Sequence, residues 1–122
     1  MSAYAIIAGV PFLTLDHHDG RMIRGGGLFV FVRRSGPRRV ILHMELAEAI
    51  DQRARPGHPR WDWAIANGLN ELLVCLASVP LQVSDDDADV VWHDDAEFWP
   101  SAEAAYWPEP LEMTVARLAG RV

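Results

Sequence analysis

The sequence predicts an α/β (α+β) fold: a small central, mainly antiparallel sheet flanked by helices. Three observations lead there. Residues 28–32 (Leu-Phe-Val-Phe-Val) and 40–42 (Val-Ile-Leu) are β-branched and aromatic runs separated by Ser35-Gly36-Pro37, the pattern of a hairpin. Leu46, Ile50 and Ala54 recur at four-residue spacing across residues 45–54, the pattern of a helix. Residues 72–77 (Leu-Leu-Val-Cys-Leu-Ala) are too apolar for a surface strand and read as a central one.

Each element follows in chain order. Residues 3–8 and 10–15 are apolar pieces split by Gly9-Val10-Pro11, and both read as strands. Asp19-Gly20 is a turn signal, with Met22-Ile23 placed to pair back across it. Gly25-Gly26-Gly27 breaks the chain before the hairpin, whose tip gathers Arg33, Arg34, Arg38 and Arg39. The helix over 45–54 has acids early and Arg53 and Arg55 late, as its dipole favours, and Pro56-Gly57 ends it. Pro59 suits the first position of a second helix and Asn67-Gly68 its stop, with Trp61, Ala64 and Ile65 facing inward. Ser84-Asp85-Asp86-Asp87 reads as a solvated loop, Val90-Val91-Trp92 as a short edge strand, and Phe98-Trp99-Pro100 and Tyr106-Trp107-Pro108 as anchors onto the core. Residues 110–118 read as a last helix with an inner stripe of Leu111, Val115 and Leu118. The whole is one domain: a strand-and-turn extension (1–26), the core (27–78), an acidic and aromatic loop segment (79–108) and a C-terminal helix (109–120).

Composition narrows the function classes. A chain of 122 residues, half of them apolar, is large enough to bury its own core. The single cysteine, Cys75, excludes an internal disulfide and sits in an apolar run, as a small core residue does. No stretch approaches the roughly 20 apolar residues of a membrane span, and no basic segment precedes an apolar one at the N-terminus, so a cytoplasmic protein without membrane contact is expected. All basic residues are arginine. Residues 1–60 carry a net charge of +4 and residues 61–122 a net charge of −10. Seven acids between Asp85 and Glu97 oppose phosphate binding, which makes nucleic acid a poorer partner than protein.

The chemistry-bearing clusters are few. His17-His18-Asp19 and His93-Asp94-Asp95 offer metal ligands, and His43 or His58 could complete a set, but no spacing demands it and no metal or other cofactor is expected. Asp85, Asp86, Asp87 and Asp89 lack the alternation, central glycine and terminal glutamate of a calcium loop. Gly25-Gly26-Gly27 leads into a strand rather than a helix N-terminus, so a hinge or turn fits better than a phosphate cradle. The guanidinium groups of Arg33, Arg34, Arg38 and Arg39 form the most plausible binding element, and Trp99 and Trp107 a second, apolar one.

From Gly27 to Leu76 the order of elements resembles the GIY-YIG superfamily, in particular its small bacterial members with no assigned role. Phe29-Val30-Phe31 falls where the first motif lies and Ile41-Leu42-His43 where the second lies. Glu45-Leu46 then opens the following helix, His58-Pro59-Arg60-Trp61 begins the next, and residues 70–76 correspond to the third strand. The resemblance rests on pattern rather than identities. Nucleases of the superfamily use a tyrosine in each strand motif, an arginine on the first helix and a metal-binding glutamate on a later one. Here Phe31 and Ile41 occupy the tyrosine places, Arg53 lies one turn beyond the arginine place near Ala49, and Glu109 or Glu112 would be the glutamate. The resemblance therefore implies the scaffold and argues against the activity.

The expected function is a non-catalytic binding domain acting on a protein partner, or on itself as a homodimeric structural module. The enzymatic alternative is a divergent metal-dependent nuclease using His43, Arg53 and Glu112.

Overall fold

The computed structural model describes residues 4–7, 10–15, 20–21, 23–77 and 89–99. They form β1 (Tyr4–Ile7), β2 (Val10–Leu15), β3 (Gly27–Ser35), β4 (Arg38–Ala47), α1 (Ile50–Arg53), α2 (Trp61–Ala66), β5 (Glu71–Leu76) and β6 (Asp89–Trp99). The strands make one six-stranded sheet in the order β1-β2-β5-β3-β4-β6, curled into a half-barrel. Every pairing is antiparallel except β4 with β6, which is parallel. This corrects the expected small sheet flanked by helices. The described chain is mostly β, the sheet is mixed, and its helices are only four and six residues long.

The hairpin and β5 lie where the apolar runs place them. Ser35 pairs with Arg38 across Gly36-Pro37. Gly36 has a φ of 61°, which the first position of a two-residue hairpin loop requires. Lying between β5 and β4, β3 has both edges paired, and a core cluster covers each of its faces, so its sequence is continuously apolar rather than alternating over residues 28–32. Leu28, Val30 and Val32 enter one core cluster with Phe12, Ile41, Met44, Leu46 and Leu73. Phe29 and Phe31 enter the other with Leu42, Ile50, Ala54, Trp61, Ala64 and Leu72. The two helices contribute only to this second cluster.

Two expected elements are overturned. The helix over 45–54 is mostly strand: β4 continues to Ala47, and only Ile50–Arg53 is helical. The reason is the two-residue alternation of 43–47, with Met44 and Leu46 in the first cluster and His43, Glu45 and Ala47 toward the second face. The four-residue spacing was coincidental, since Leu46 and Ile50 lie in different clusters. Residues 45–54 are rich in Ala, Leu, Glu, Gln and Arg, all good helix formers, yet strand pairing to β3 and β6 outweighs that propensity as far as Ala47, and α1 has no side-chain cap at Ala49. The loop expected across 79–108 contains the eleven-residue β6, the longest strand described, whose edge position does match the Val90–Trp92 reading. Ile65 is also corrected: it is 44% exposed, because in a six-residue helix the buried stripe is already filled by Trp61 and Ala64.

The glycine run serves the backbone. The carbonyls of Gly25 and Gly26 accept from Ile50 N–H (3.0 Å) and Ala77 N–H (2.9 Å). A Cβ at Gly27 would overlap the Cys75 carbonyl oxygen. His17, His18 and Asp19, the acidic stretch 84–88, Trp107 and the helix expected over 109–120 with Glu109 and Glu112 lie outside the described residues. No helix among the described residues is long and apolar enough to cross a membrane.

Candidate functional site

A β-bulge sets up the site. Phe31 faces His43 and Val32 faces Ile41, so Leu42 is an extra residue on β4. On the other side Ile41 pairs with Trp92 and His43 with Glu97, leaving residues 93–96 of β6 looped out at the same level. Bulges re-aim side chains: here Leu42 and His43, though adjacent, both point toward the helical face. Glu45 then follows on that face by strand alternation. His58 comes from the turn after α1, where its amide donates to the Arg55 carbonyl (3.1 Å) and its own carbonyl accepts from Trp61 (2.9 Å).

Three groups converge on the Glu45 carboxylate. Oε1 accepts from His43 Nε2 at 3.0 Å and from His58 Nε2 at 2.7 Å. Oε2 accepts from Arg53 Nε at 2.6 Å. The protonation states follow from the partners. The Arg60 amide donates to His58 Nδ1 (2.9 Å), so that nitrogen carries no proton and Nε2 does. His43 Nε2 faces the same carboxylate oxygen and is likewise the protonated nitrogen, leaving His43 Nδ1 as a buried acceptor without a partner among the described residues. Arg53 Nη2 lies 3.4 Å from His58 Nε2; both are donors, and they meet because they share Glu45.

Burial works against the charged form of Glu45, yet the hydrogen bonds from His43, His58 and Arg53 outweigh it and hold the carboxyl well below its usual range. Burial lowers His43, and the nearby His58 and Arg60 lower it further against the opposing hydrogen bond to Glu45. The hydrogen bond to Glu45 raises Arg53. Aromatic rings close the cluster. Trp99 stacks on His58 (centroids 5.6 Å apart, 23°) and meets His43 edge-on at 4.5 Å. Phe31 meets His58 edge-on at 5.3 Å, and Phe29 does so at 5.9 Å. Arg60 ties α2 to the looped-out part of β6: its guanidinium lies 3.9 Å over the Trp63 ring and donates to the Asp95 carbonyl at 2.5 Å.

The structure therefore brings His43 and Arg53 together, through Glu45, while Glu112 lies outside the described residues. Trp99 is half-buried against the two imidazoles, and its indole N–H donates to Glu97 at 2.7 Å. The arginine tip divides. Arg33, Arg34 and Arg38 are exposed, but Arg39 is buried on Glu71 (2.7 Å). Arg34 also reaches Glu71 (3.2 Å), and Arg33 donates to the Asn67 carbonyl at 3.3 Å. Sequence reasoning missed Glu45 as a site residue by reading it as helical. The available signal was His-x-Glu, which puts both side chains on one face of a strand. No family model, curated protein or solved structure matches this chain.

Proposed function

We propose that the protein is a non-catalytic binding domain whose partner is another protein, working in the cytoplasm. The observation that carries this is β6. It is an edge strand with no strand on its outer side among the described residues, and it bears exposed Val91, Asp94, Asp95 and Glu97. An open edge offers backbone groups to an extended segment. Its acids favour a basic segment and repel phosphate. The hairpin tip supports the same reading, since Arg34 and Arg39 are engaged on Glu71 rather than held free for nucleic acid. The lone buried Cys75 suits a reducing compartment.

The test has two arms. A partner captured by cross-linking and then purified should bind the wild type and lose at least tenfold in affinity to Asp94→Lys/Asp95→Lys. Fluorescence anisotropy with labelled single-stranded and duplex DNA and RNA should show no binding at physiological salt. Salt-sensitive nucleic-acid binding abolished by reversing Arg33, Arg34 and Arg38 would overturn the reading.

One observation favours a second reading, a divergent metal-dependent nuclease: His43 and Arg53 meet on one carboxylate. Magnesium- or manganese-dependent cleavage of DNA or RNA, lost in Arg53→Ala, would establish it. Absence of cleavage across both metals would dismiss it.

A further inference from the structure

We propose that His43, Glu45 and His58 form a binding site for one divalent transition-metal ion, with zinc the best match to the donor set. Two imidazoles and a carboxylate are a recognised zinc combination, and imidazole suits the neighbouring first-row ions as well. Each residue offers one ligand atom, and these atoms lie within 4.8 Å of one another, with all three residues buried. They come from two separate parts of the chain, β4 and the turn between α1 and α2, so their meeting is a product of the fold.

The spacing is close to what an ion requires. The two Nε2 atoms lie 3.0 and 2.7 Å from Glu45 Oε1. Donors around a tetrahedral ion at about 2.0–2.1 Å stand roughly 3.3 Å apart. Shifts of a few tenths of an ångström open the space. The surroundings hold the donors in place. Arg53 fixes the outer oxygen of Glu45, leaving Oε1 directed inward as a single-oxygen ligand. Trp99, Phe29 and Phe31 restrict water around the rings. His43 Nδ1 is a buried polar atom with no hydrogen-bond partner among the described residues, so no donor there holds the ring in the tautomer that keeps its proton on Nε2.

Binding exchanges protons within the rings. The ion takes the place of the two Nε2 protons, and each imidazole stays neutral by carrying its proton on Nδ1 instead. At His43 that atom has no partner among the described residues, so the tautomer is free to change but the new N–H gains no acceptor there. At His58 the Arg60 amide now donates to it at 2.9 Å, so the turn over residues 58–60 must rotate this amide away. The positive charge of Arg53 and the cost of that rotation make the site weaker than a cysteine-rich structural zinc site.

The test uses the untagged full chain, stripped with chelator and titrated with zinc chloride by calorimetry and with cobalt(II) by visible absorption. The expected results are one ion per chain, a cobalt spectrum of nitrogen and oxygen ligation, and a shifted Arg60 amide resonance. His58→Gln and His43→Gln should each weaken binding at least tenfold, and His93→Gln should not. Circular dichroism of the metal-free variants checks that they fold. If they do not, the wild-type Arg60 amide shift and loss of the His43 and His58 Nε2–H signals carry the test. No binding at millimolar ion, binding undiminished in a folded His58→Gln, or an Arg60 amide that does not move each overturns the proposal.

Discussion

Glu45 is the residue on which the polar interior depends. It is buried, and three donors from β4, α1 and the turn before α2 end on its two oxygens. Removing it strands two imidazoles and a guanidinium. Breaking a buried charged pair costs about 3–5 kcal/mol; because the Arg53 side chain is 39% exposed and can rehydrate, Glu45→Ala should cost about 3 kcal/mol, read as a fall in the urea midpoint. The arginine tip gives a contrasting pair. Arg39, buried on Glu71, should cost about 3 kcal/mol when changed to alanine, whereas Arg34, half exposed on the same carboxylate, should cost under about 1 kcal/mol. Equal losses would mean the buried geometry of Arg39 confers nothing. Cys75 is simpler: burial pushes its thiol up to about 12. It should resist a thiol reagent in the folded protein at neutral pH and react at once in denaturant.

At the scale of elements, β6 closes both the sheet and the cluster. Trp99 is its last residue and covers His43 and His58. Trp99→Ala should cost about 2 kcal/mol, below the 3–5 typical of a fully buried ring because this one is half-buried, and urea unfolding checks it. The hairpin and β5 were legible in the sequence, since long apolar runs bounded by turn residues have few other readings. The end of β4 was not. Leu46, Ile50 and Ala54 satisfy a helical repeat as well as His43, Glu45 and Ala47 satisfy a strand repeat, and only pairing with β3 and β6 decides between them. The site was half legible for the same reason. His43, His58 and Arg53 stood out by residue type, but Glu45 was hidden by the helical reading, and the Leu42 bulge leaves no mark in a single sequence.

For the molecule as a whole, the ladder order forces distant segments together. β5 must insert between β2 and β3, and β6 must reach β4 across both helices and β5. Folding dominated by such non-local pairing runs in milliseconds to seconds. Stopped-flow refolding should therefore give a main phase in that range, and one in microseconds would contradict the topology. The charge asymmetry, +4 in residues 1–60 against −10 in 61–122, is likewise a property of the whole. Its acidic part includes exposed Asp94, Asp95 and Glu97 on β6, whose like charges oppose pairing of that edge with the same edge of another copy.

The late position of β6 has a consequence during synthesis. The ribosome releases His43, Glu45 and His58 well before Trp99, and at roughly 5–20 residues per second the interval is about two to eight seconds. For that time the three donors have Phe29 and Phe31 available but not Trp99. An ion present while the chain is being made meets an open site; one added later must enter past Trp99. Protein expressed in zinc-supplemented cells should therefore retain more metal through purification than the same protein given zinc only after folding.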